Sequence, residues 1–434
     1  MRTDQPKLPR VSIVIPTRNR PHLLKVALQS ALRQTWRDFE ILVSDNYCRN
    51  EETRKVYDSF QDARLRYVRT DRLLAMPDSW EFALAHAQGE YVSVLSDDSC
   101  FFPDALEMAL AAIDKFNVDL AAWNTCTYYS PDWYEPFLRN HLSFDKPPYR
   151  TVLLSSGEVL RELFDLDLNL AGHMPRFLNS LCHRSLVEKV VQVHGRMFIP
   201  PCPDFSAAAS LLANTGNYVF LGRPLAIDGA TPLSIGFTLG YGYVDAFKEF
   251  LAEFQDAAAF QRAIDLPLGT VSVTVAQTLA AVKMSCARER FPHEINRRNM
   301  LFQSIRSVAA QERCGADVRE AWRILDANIA RQPEDIQRAA VTQKRRSRLR
   351  AALRSVVAGM LRWFPRWECL APFTGRRLIS GARHRFQNME QCGLVAPQLV
   401  ASVARAWASS GDADEVASRA EGTLECGGLT PPLN

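Results

Sequence analysis

The feature that most constrains this chain is the regular alternation of short apolar runs with amphipathic stretches over its first hundred or so residues. Val11-Ser12-Ile13-Val14-Ile15 is an apolar run stopped by Pro16-Thr17, the pattern of a buried strand leading into a loop. Pro21 to Leu32 then places apolar residues at Leu23, Leu24, Ala27, Leu28, Ala31 and Leu32, a helical stripe with proline in its first turn. Phe39 to Val43, Leu65 to Val68 and Tyr91 to Leu95 read as further strands. Glu51 to Phe60 and Ser79 to Ala87 read as the helices between them. Strand and helix in turn predict a mostly parallel, doubly wound α/β sheet. Such sheets bind ligands at the carboxyl ends of their strands. Three polar loops fall at those ends: Thr17-Arg18-Asn19-Arg20, Asp45-Asn46 and Asp97-Asp98.

The chain is too long, at 434 residues, for one ordinary core. After a helix over Pro103 to Phe116 the pattern turns irregular and aromatic-rich, with Trp123, Tyr128, Tyr129, Trp133, Tyr134 and Phe137. An Ala-rich helix follows over Phe205 to Ala213, then strands over Tyr218 to Leu221 and Leu225 to Ile227. Beyond about residue 240 the pattern is helical, in segments Phe247 to Phe260, Val271 to Ala287, Asn299 to Ala310 and Val318 to Ala330. The expected division is 1–115, an α/β half; 116–235, an α+β half; 236–340, a helical extension; 341–386, a basic segment; and 387–434, a partly disordered tail. No internal repeat is visible.

A net charge of +4 argues against a dedicated nucleic-acid binder, and no nucleic-acid partner is expected. Ten cysteines are spaced irregularly, with no Cys-x-x-Cys pair, so free thiols in a reducing compartment are expected. Met1 to Arg10 lacks the apolar core of a signal peptide, and no run approaches the 18 or so apolar residues of a spanning helix. The expected location is cytoplasmic, with a place on the inner face of the membrane left open. Lys344 to Arg366 carries eight basic residues and no acidic one, interleaved with Leu349, Leu353, Val356, Val357, Met360, Leu361, Trp363 and Phe364 at near-helical spacing. That pattern suits an anionic membrane surface, or the solvated face of an ordinary packed helix.

Adjacent carboxylates at a strand end can hold a divalent cation, act as acid and base, or sit in a solvated turn. Asp97-Asp98 follows a buried-strand pattern, which favours a ligand role. Asp204, in Pro203-Asp204-Phe205, opens a helix and could cap it or act as a base. His173, His183 and His194 show no ligand spacing and read as structural. Asp228 reads as a turn residue, and Trp80 and Trp123 as core.

Four stretches in register resemble family 2 glycosyltransferases of the GT-A fold: Val11-Ser12-Ile13-Val14-Ile15-Pro16-Thr17-Arg18-Asn19-Arg20, Phe39 to Asn46, Gly89 to Asp98, and Pro103-Asp104-Ala105-Leu106. The resemblance spans about residues 9 to 235. It implies a GT-A-type α/β fold, with an acceptor-binding α+β half and a helical C-terminal extension. It implies an inverting enzyme that moves a sugar from a nucleoside-diphosphate donor, a UDP-sugar above others, to a hydroxyl of a saccharide or lipid-linked saccharide. On that resemblance Pro16, Thr17 and Arg18 line the nucleotide pocket and Asp45 and Asn46 meet the nucleobase. Asp97 meets the ribose or helps order the metal, Asp98 is the main ligand of Mg2+ or Mn2+, and Asp204 is the catalytic base. Ser96 and Ser99 flank the acid pair where many members carry a further acid. Two rivals stand beside it. A nucleotidyltransferase acting on a sugar phosphate would normally open with a glycine-rich loop, which Pro16-Thr17-Arg18-Asn19 is not. A catalytically lapsed sugar-binding or scaffold protein of the same fold is suggested by the missing third acid.

Overall fold

The computed structural model describes residues 8–166, 173–232, 234, 236, 249–254, 262–286, 291–363, 376–384 and 386–410. Its centre is an eleven-stranded sheet with helices on both faces. Strands β1 (Val11–Thr17), β2 (Phe39–Asp45), β3 (Leu65–Arg69) and β4 (Tyr91–Val94) form the parallel part, in the order β3-β2-β1-β4. Helices α1 (Pro21–Leu32), α2 (Glu52–Asp58) and α3 (Met76–His86) make the crossovers. All seven residues of β1 and of β2 are buried, which is why both read as apolar runs and not as alternating strands.

Side chains of β1 alternate between two cores. Val11, Ile13 and Ile15 join Ile41 and Val43 under α1 and α4 (Ala105–Phe116), against Leu24, Leu28, Leu106 and Leu110. Val14 points the other way, with Leu42, Val92 and Val94, into a larger core shared with α3, α5 (Ser156–Phe164), α6 (Arg184–His194) and α7 (Pro203–Asn214). Each such aliphatic side chain contributes about 1.5–3 kcal/mol relative to exposure. Gly89 lies against β1 so closely that a Cβ would overlap the backbone at Val11 and Ser12, and its N–H donates to Ser12 Oγ at 2.7 Å.

The second half adds mainly antiparallel strands. They are β5 (Ser99–Phe101), β6 (Leu120–Tyr129), β7 (His141–Asp145), β8 (Thr151–Ser155), β9 (Ser180–His183) and β10 (Asn217–Ala230). The two short strands expected between 218 and 227 are one 14-residue strand, β10. Its register against β6 shifts on either side of Pro224, where the chain cannot donate a ladder hydrogen bond. Asp228, expected in a turn, is in this strand and pairs with Ser99 of β5.

The later helices Val271–Met284, Arg297–Arg313 and Arg319–Ala330 follow the sequence periodicity closely and extend the larger core. The basic segment lies within a 30-residue helix, Glu334–Trp363; its residues 364–366 fall outside the described residues. Two pieces of the C-terminal stretch join the body. Strand β11 (Arg376–Ser380) pairs with β7. Helix Met389–Ser410, in the stretch read as a tail, buries Cys392, Ala396, Leu399 and Val400 against Cys100, Phe102, Tyr128 and Phe144. The expected disorder from Gly411 onward lies outside the described residues.

Candidate active site

Parallel pairing of β1 with β2 sets Thr17 beside Asp45, and pairing of β1 with β4 brings the Ser96-Asp97-Asp98 turn alongside. The three polar loops therefore meet at one end of the sheet, where the chain leaves β1 for α1 on one side of the switch in strand order. Two residues there have left-handed backbone: Asn19 (φ 56°), a residue type that tolerates it, and Tyr47 (φ 54°), for which it is strained. Pro16, Thr17, Arg18, Arg20, Asn46, Ser96 and Asp97 line an open cleft at this point.

Asp97 is 5% exposed. Its Oδ2 accepts from Thr17 Oγ1 at 2.7 Å, and its Oδ1 from Arg20 Nη1 at 3.2 Å. Burial pushes the Asp97 carboxyl well above the usual carboxylate range; Asp98 adds to this, while Arg20 and Thr17 oppose it. Arg20 also stands 3.7 Å from Asp98 Oδ2. Burial works against the Arg20 charge, but the two carboxylates outweigh it and hold its pKa above the ordinary arginine value.

Asp98 has a different setting. Ser96 Oγ donates to its Oδ1 and Ser234 Oγ to its Oδ2, both at 2.6 Å. Its carbonyl accepts from Gly229 N–H at 3.0 Å, and a Cβ at Gly229 would overlap that carbonyl. Only glycine lets β10 approach the acid pair this closely. Each Asp98 oxygen accepts one hydroxyl and keeps a lone pair, so the pair offers hard oxygen donors beside the cleft. Among the described residues no group of three or more His, Cys, Asp and Glu side chains gathers for a metal ion. Two carboxylates suit a cation that completes its shell with phosphate oxygens and water. Mg2+ and Mn2+ fit that donor set.

Asp45 is 1% exposed and turned inward. It accepts from Cys48 N–H at 2.7 Å and from the Tyr67 hydroxyl, with Arg69 Nε at 4.0 Å. Burial, helped by Asp45, pushes the Tyr67 phenol up. Asn46 is pinned to Leu74 through both its amide groups and presents itself to the cleft.

Asp204 lies in the first turn of α7, and the N-cap is Cys202 instead. Burial raises the Asp204 carboxyl above its usual range; the Arg176 charge and the Phe205 N–H oppose this, and Asp228 adds to it. Asp228 adjoins Gly229, the residue that touches Asp98, so β10 links the neighbourhood of Asp204 to the acid pair. Thr125 Oγ1 donates to Asp228 at 2.9 Å.

Sequence reading missed part of the cleft. Met76, Ser79, Trp80, Phe250 and Glu253 also line it. Trp80, read as core, forms a wall of the cleft and packs edge-on against Phe198 at 5.3 Å. Trp123 is fully buried, as expected. Glu253 accepts from Arg18 Nη2 at 2.7 Å across 235 positions, a pairing with no local sequence signal. The three histidines each serve locally: His173 against Phe220, His183 capping α6, His194 bonded to Ser285.

Residues 12–181 match the family model for Glycosyl transferase family 2. A UDP-Glc:alpha-D-GlcNAc-diphosphoundecaprenol beta-1,3-glucosyltransferase of Escherichia coli is 27% identical over 114 residues, 26% of this chain and 45% of that protein. A GalNAc(5)-diNAcBac-PP-undecaprenol beta-1,3-glucosyltransferase of Campylobacter jejuni is 33% identical over 102 residues, 23% of this chain and 33% of that one. The chain thus spans less than half the length of either relative. The crystal structure of S. aureus TarS 1-349 in complex with UDP-GlcNAc superimposes with a TM-score of 0.41 at 13% identity, over 78% of this chain and 90% of that one, too loosely to transfer any residue role. Sequence match, strand order and the meeting of the three loops point the same way: residues 12–181 are similar to the family 2 glycosyltransferases.

Proposed function

We propose that the chain is an inverting glycosyltransferase that moves a sugar from a nucleoside diphosphate to a hydroxyl of a saccharide or lipid-linked saccharide. The observation that carries this reading is the gathering of Thr17, Arg18, Arg20, Asn46 and Asp97 around one cleft at the strand ends. Pro16, Thr17 and Asn46 hold the nucleoside, and Asp97 reaches its ribose. Asp45 stands behind Asn46 and meets a nucleobase N–H when the Tyr67 hydroxyl yields its oxygen. Arg18 and Arg20 face the diphosphate. A bound Mg2+ or Mn2+ would neutralise charge on the leaving diphosphate, and Asp98, with Asp97, would hold it.

In the transfer step the acceptor oxygen bonds to the anomeric carbon as the bond from that carbon to the diphosphate oxygen breaks. The acceptor proton passes to Asp204, and the nucleoside diphosphate departs with the bonding electrons. The raised proton affinity of Asp204 suits this role, provided it is ionised at the working pH. The transition state is oxocarbenium-like, as in other glycosyl transfers.

Two of the relatives are named for undecaprenol-linked acceptors, which supports a lipid-linked acceptor here. Among the described residues no helix is long and apolar enough to cross a membrane. We place the chain in the cytoplasm, held to an anionic inner membrane face by the outward side of helix Glu334–Trp363. Lys344 and Arg348 turn toward the neighbouring helices, bonded to Asp326 and Glu312 and stacked over Trp322. Arg345, Arg346 and Arg350 are exposed, with Leu349 62% and Leu353 56% exposed among them. Mixed basic and apolar exposure of this kind suits a lipid headgroup layer.

The test is a screen of nucleotide-sugar hydrolysis and of nucleotide binding by calorimetry, with and without Mn2+. Binding of one nucleoside diphosphate with slow sugar release supports the proposal. Binding without release from any donor points to the lapsed protein, and no binding at all refutes the nucleotide site.

A further inference from the structure

The cleft is closed on one side by chain far along the sequence, residues 249–254. Phe250 is 5% exposed and packs against Met76, Leu251, Phe254 and Val271. This apolar anchor fixes the neighbouring Glu253, whose carboxylate accepts from Arg18 Nη2 at 2.7 Å. The pair is neither buried nor fully wet: the side chains are 36% and 21% exposed. Arg18 and Glu253 line the same cleft as Arg20 and Asp97. Of the two lining arginines, Arg20 is held by Asp97 and Asp98, and Arg18 by Glu253.

We propose that Glu253 occupies the anion position on Arg18, so that donor phosphates bind by displacing it, and that Glu253 thereby holds down the affinity for a diphosphate while leaving that for an uncharged nucleoside untouched. This rests on the reading of the cleft as a nucleoside-diphosphate site. A guanidinium presents the same planar fork to a carboxylate and to a phosphate. It cannot give its full set of hydrogen bonds to both. A diphosphate carries more charge than a carboxylate and displaces it; an uncharged nucleoside has nothing with which to compete. Glu253 therefore opposes the diphosphate alone, and its effect is absent from ligands that reach only the base and ribose subsites. The anchor at Phe250 keeps the carboxylate within reach of Arg18, so the competition persists in every encounter with ligand.

The test is calorimetric titration of UDP and uridine, with GDP and guanosine as a second pair. The proteins are the full chain and its Glu253→Gln, Arg18→Gln and doubly substituted forms. Glu253→Gln is expected to tighten binding of the diphosphate by about fivefold, the scale of a half-exposed ion pair. Nucleoside binding stays as in the wild type, and the gain vanishes in the Arg18→Gln background. Glu253→Gln binding the diphosphate no tighter than wild type overturns the proposal. So does an equal gain for the nucleoside, which would mean the substitution merely opens the cleft, and so does a gain that persists without Arg18. Wild type that binds none of the four ligands refutes the nucleotide site itself, and this inference with it.

Discussion

Replacing Asp204 with Asn removes the proposed base while leaving its surroundings nearly intact. Asn is isosteric and keeps an oxygen to accept from the Phe205 N–H. The helix loses no cap, because its N-cap is Cys202. The loss is therefore confined to proton acceptance, which contributes about 10²–10⁴-fold to rate. At 1.36 kcal/mol per decade that is about 2.7–5.4 kcal/mol of transition-state stabilisation. Donor binding should be unchanged, since Asp204 is not among the residues that line the nucleotide cleft. The assay is nucleoside-diphosphate release under single-turnover conditions, with donor affinity measured alongside by calorimetry. Burial raises the Asp204 pKa, so the wild-type acid limb of the rate should lie above the ordinary aspartate value near 3.9 and disappear in the variant. A linked effect has a definite sign. A carboxyl whose pKa is raised by folding contributes stability that is complete below its unfolded pKa and is lost as pH climbs through the folded one. Asp204→Asn should therefore melt higher than wild type at pH 8 and show no such gain at pH 4. Wild-type turnover in Asp204→Asn would end the base assignment, whatever the melting curves show.

Three further outcomes follow from contacts away from that residue. Gly229→Ala forces a Cβ into the Asp98 carbonyl; we expect about 1–3 kcal/mol of destabilisation in urea melts and loss of turnover, because the acid pair must shift. Arg313 and Glu135 form an ion pair whose side chains are 12% and 8% exposed, tying helix Arg297–Arg313 to the loop after β6. Arg313→Met should cost about 3–5 kcal/mol by denaturant unfolding, and the further change Glu135→Leu should recover much of it. Substituting Arg345, Arg346, Leu349 and Leu353 together with Ser should abolish sedimentation with vesicles containing anionic lipid while leaving donor binding unchanged; wild type that ignores such vesicles refutes the membrane face.

The parallel half of the fold was legible because β1, β2 and β4 are buried on both faces. Val11 to Ile15 and Phe39 to Val43 carry apolar side chains into two cores at once, and that leaves a mainly apolar run in the sequence, broken only by Ser12 and Glu40. The nearby loops were legible for a related reason: polar residues directly after a buried strand have few structural uses. Asp228 failed as a local reading. Ile227-Asp228-Gly229 has the composition of a turn, yet Gly229 serves a close approach to Asp98 from across the sheet. Helix Met389–Ser410 was obscured by its setting beside a Gly- and Pro-marked end, although its buried face runs through Cys392, Ala396, Leu399, Val400 and Val403. Glu253 could not have been found at all by pattern, since its meaning is set by Arg18, and only the tertiary fold brings them together.

On the proposed reading, the charges gathered at the cleft decide how a donor would bind. Arg18 and Arg20 supply two positive charges; Asp97, Asp98 and Glu253 supply three negative ones at a pH where all are ionised. A diphosphate entering that balance meets net repulsion in a partly desolvated site, where charges are weakly screened. Two things can relieve it: a cation beside Asp98, or removal of the carboxylate that occupies Arg18. These are alternatives for the same electrostatic deficit, so they should not add. Mn2+ should tighten UDP binding to the wild type more than it tightens binding to Glu253→Gln, while Glu253→Gln stays the tighter binder. Equal tightening in both would mean that Glu253 and the metal act on different parts of the donor. In that case Arg18 does not face the diphosphate, and the orientation of the donor in the cleft would have to be reversed.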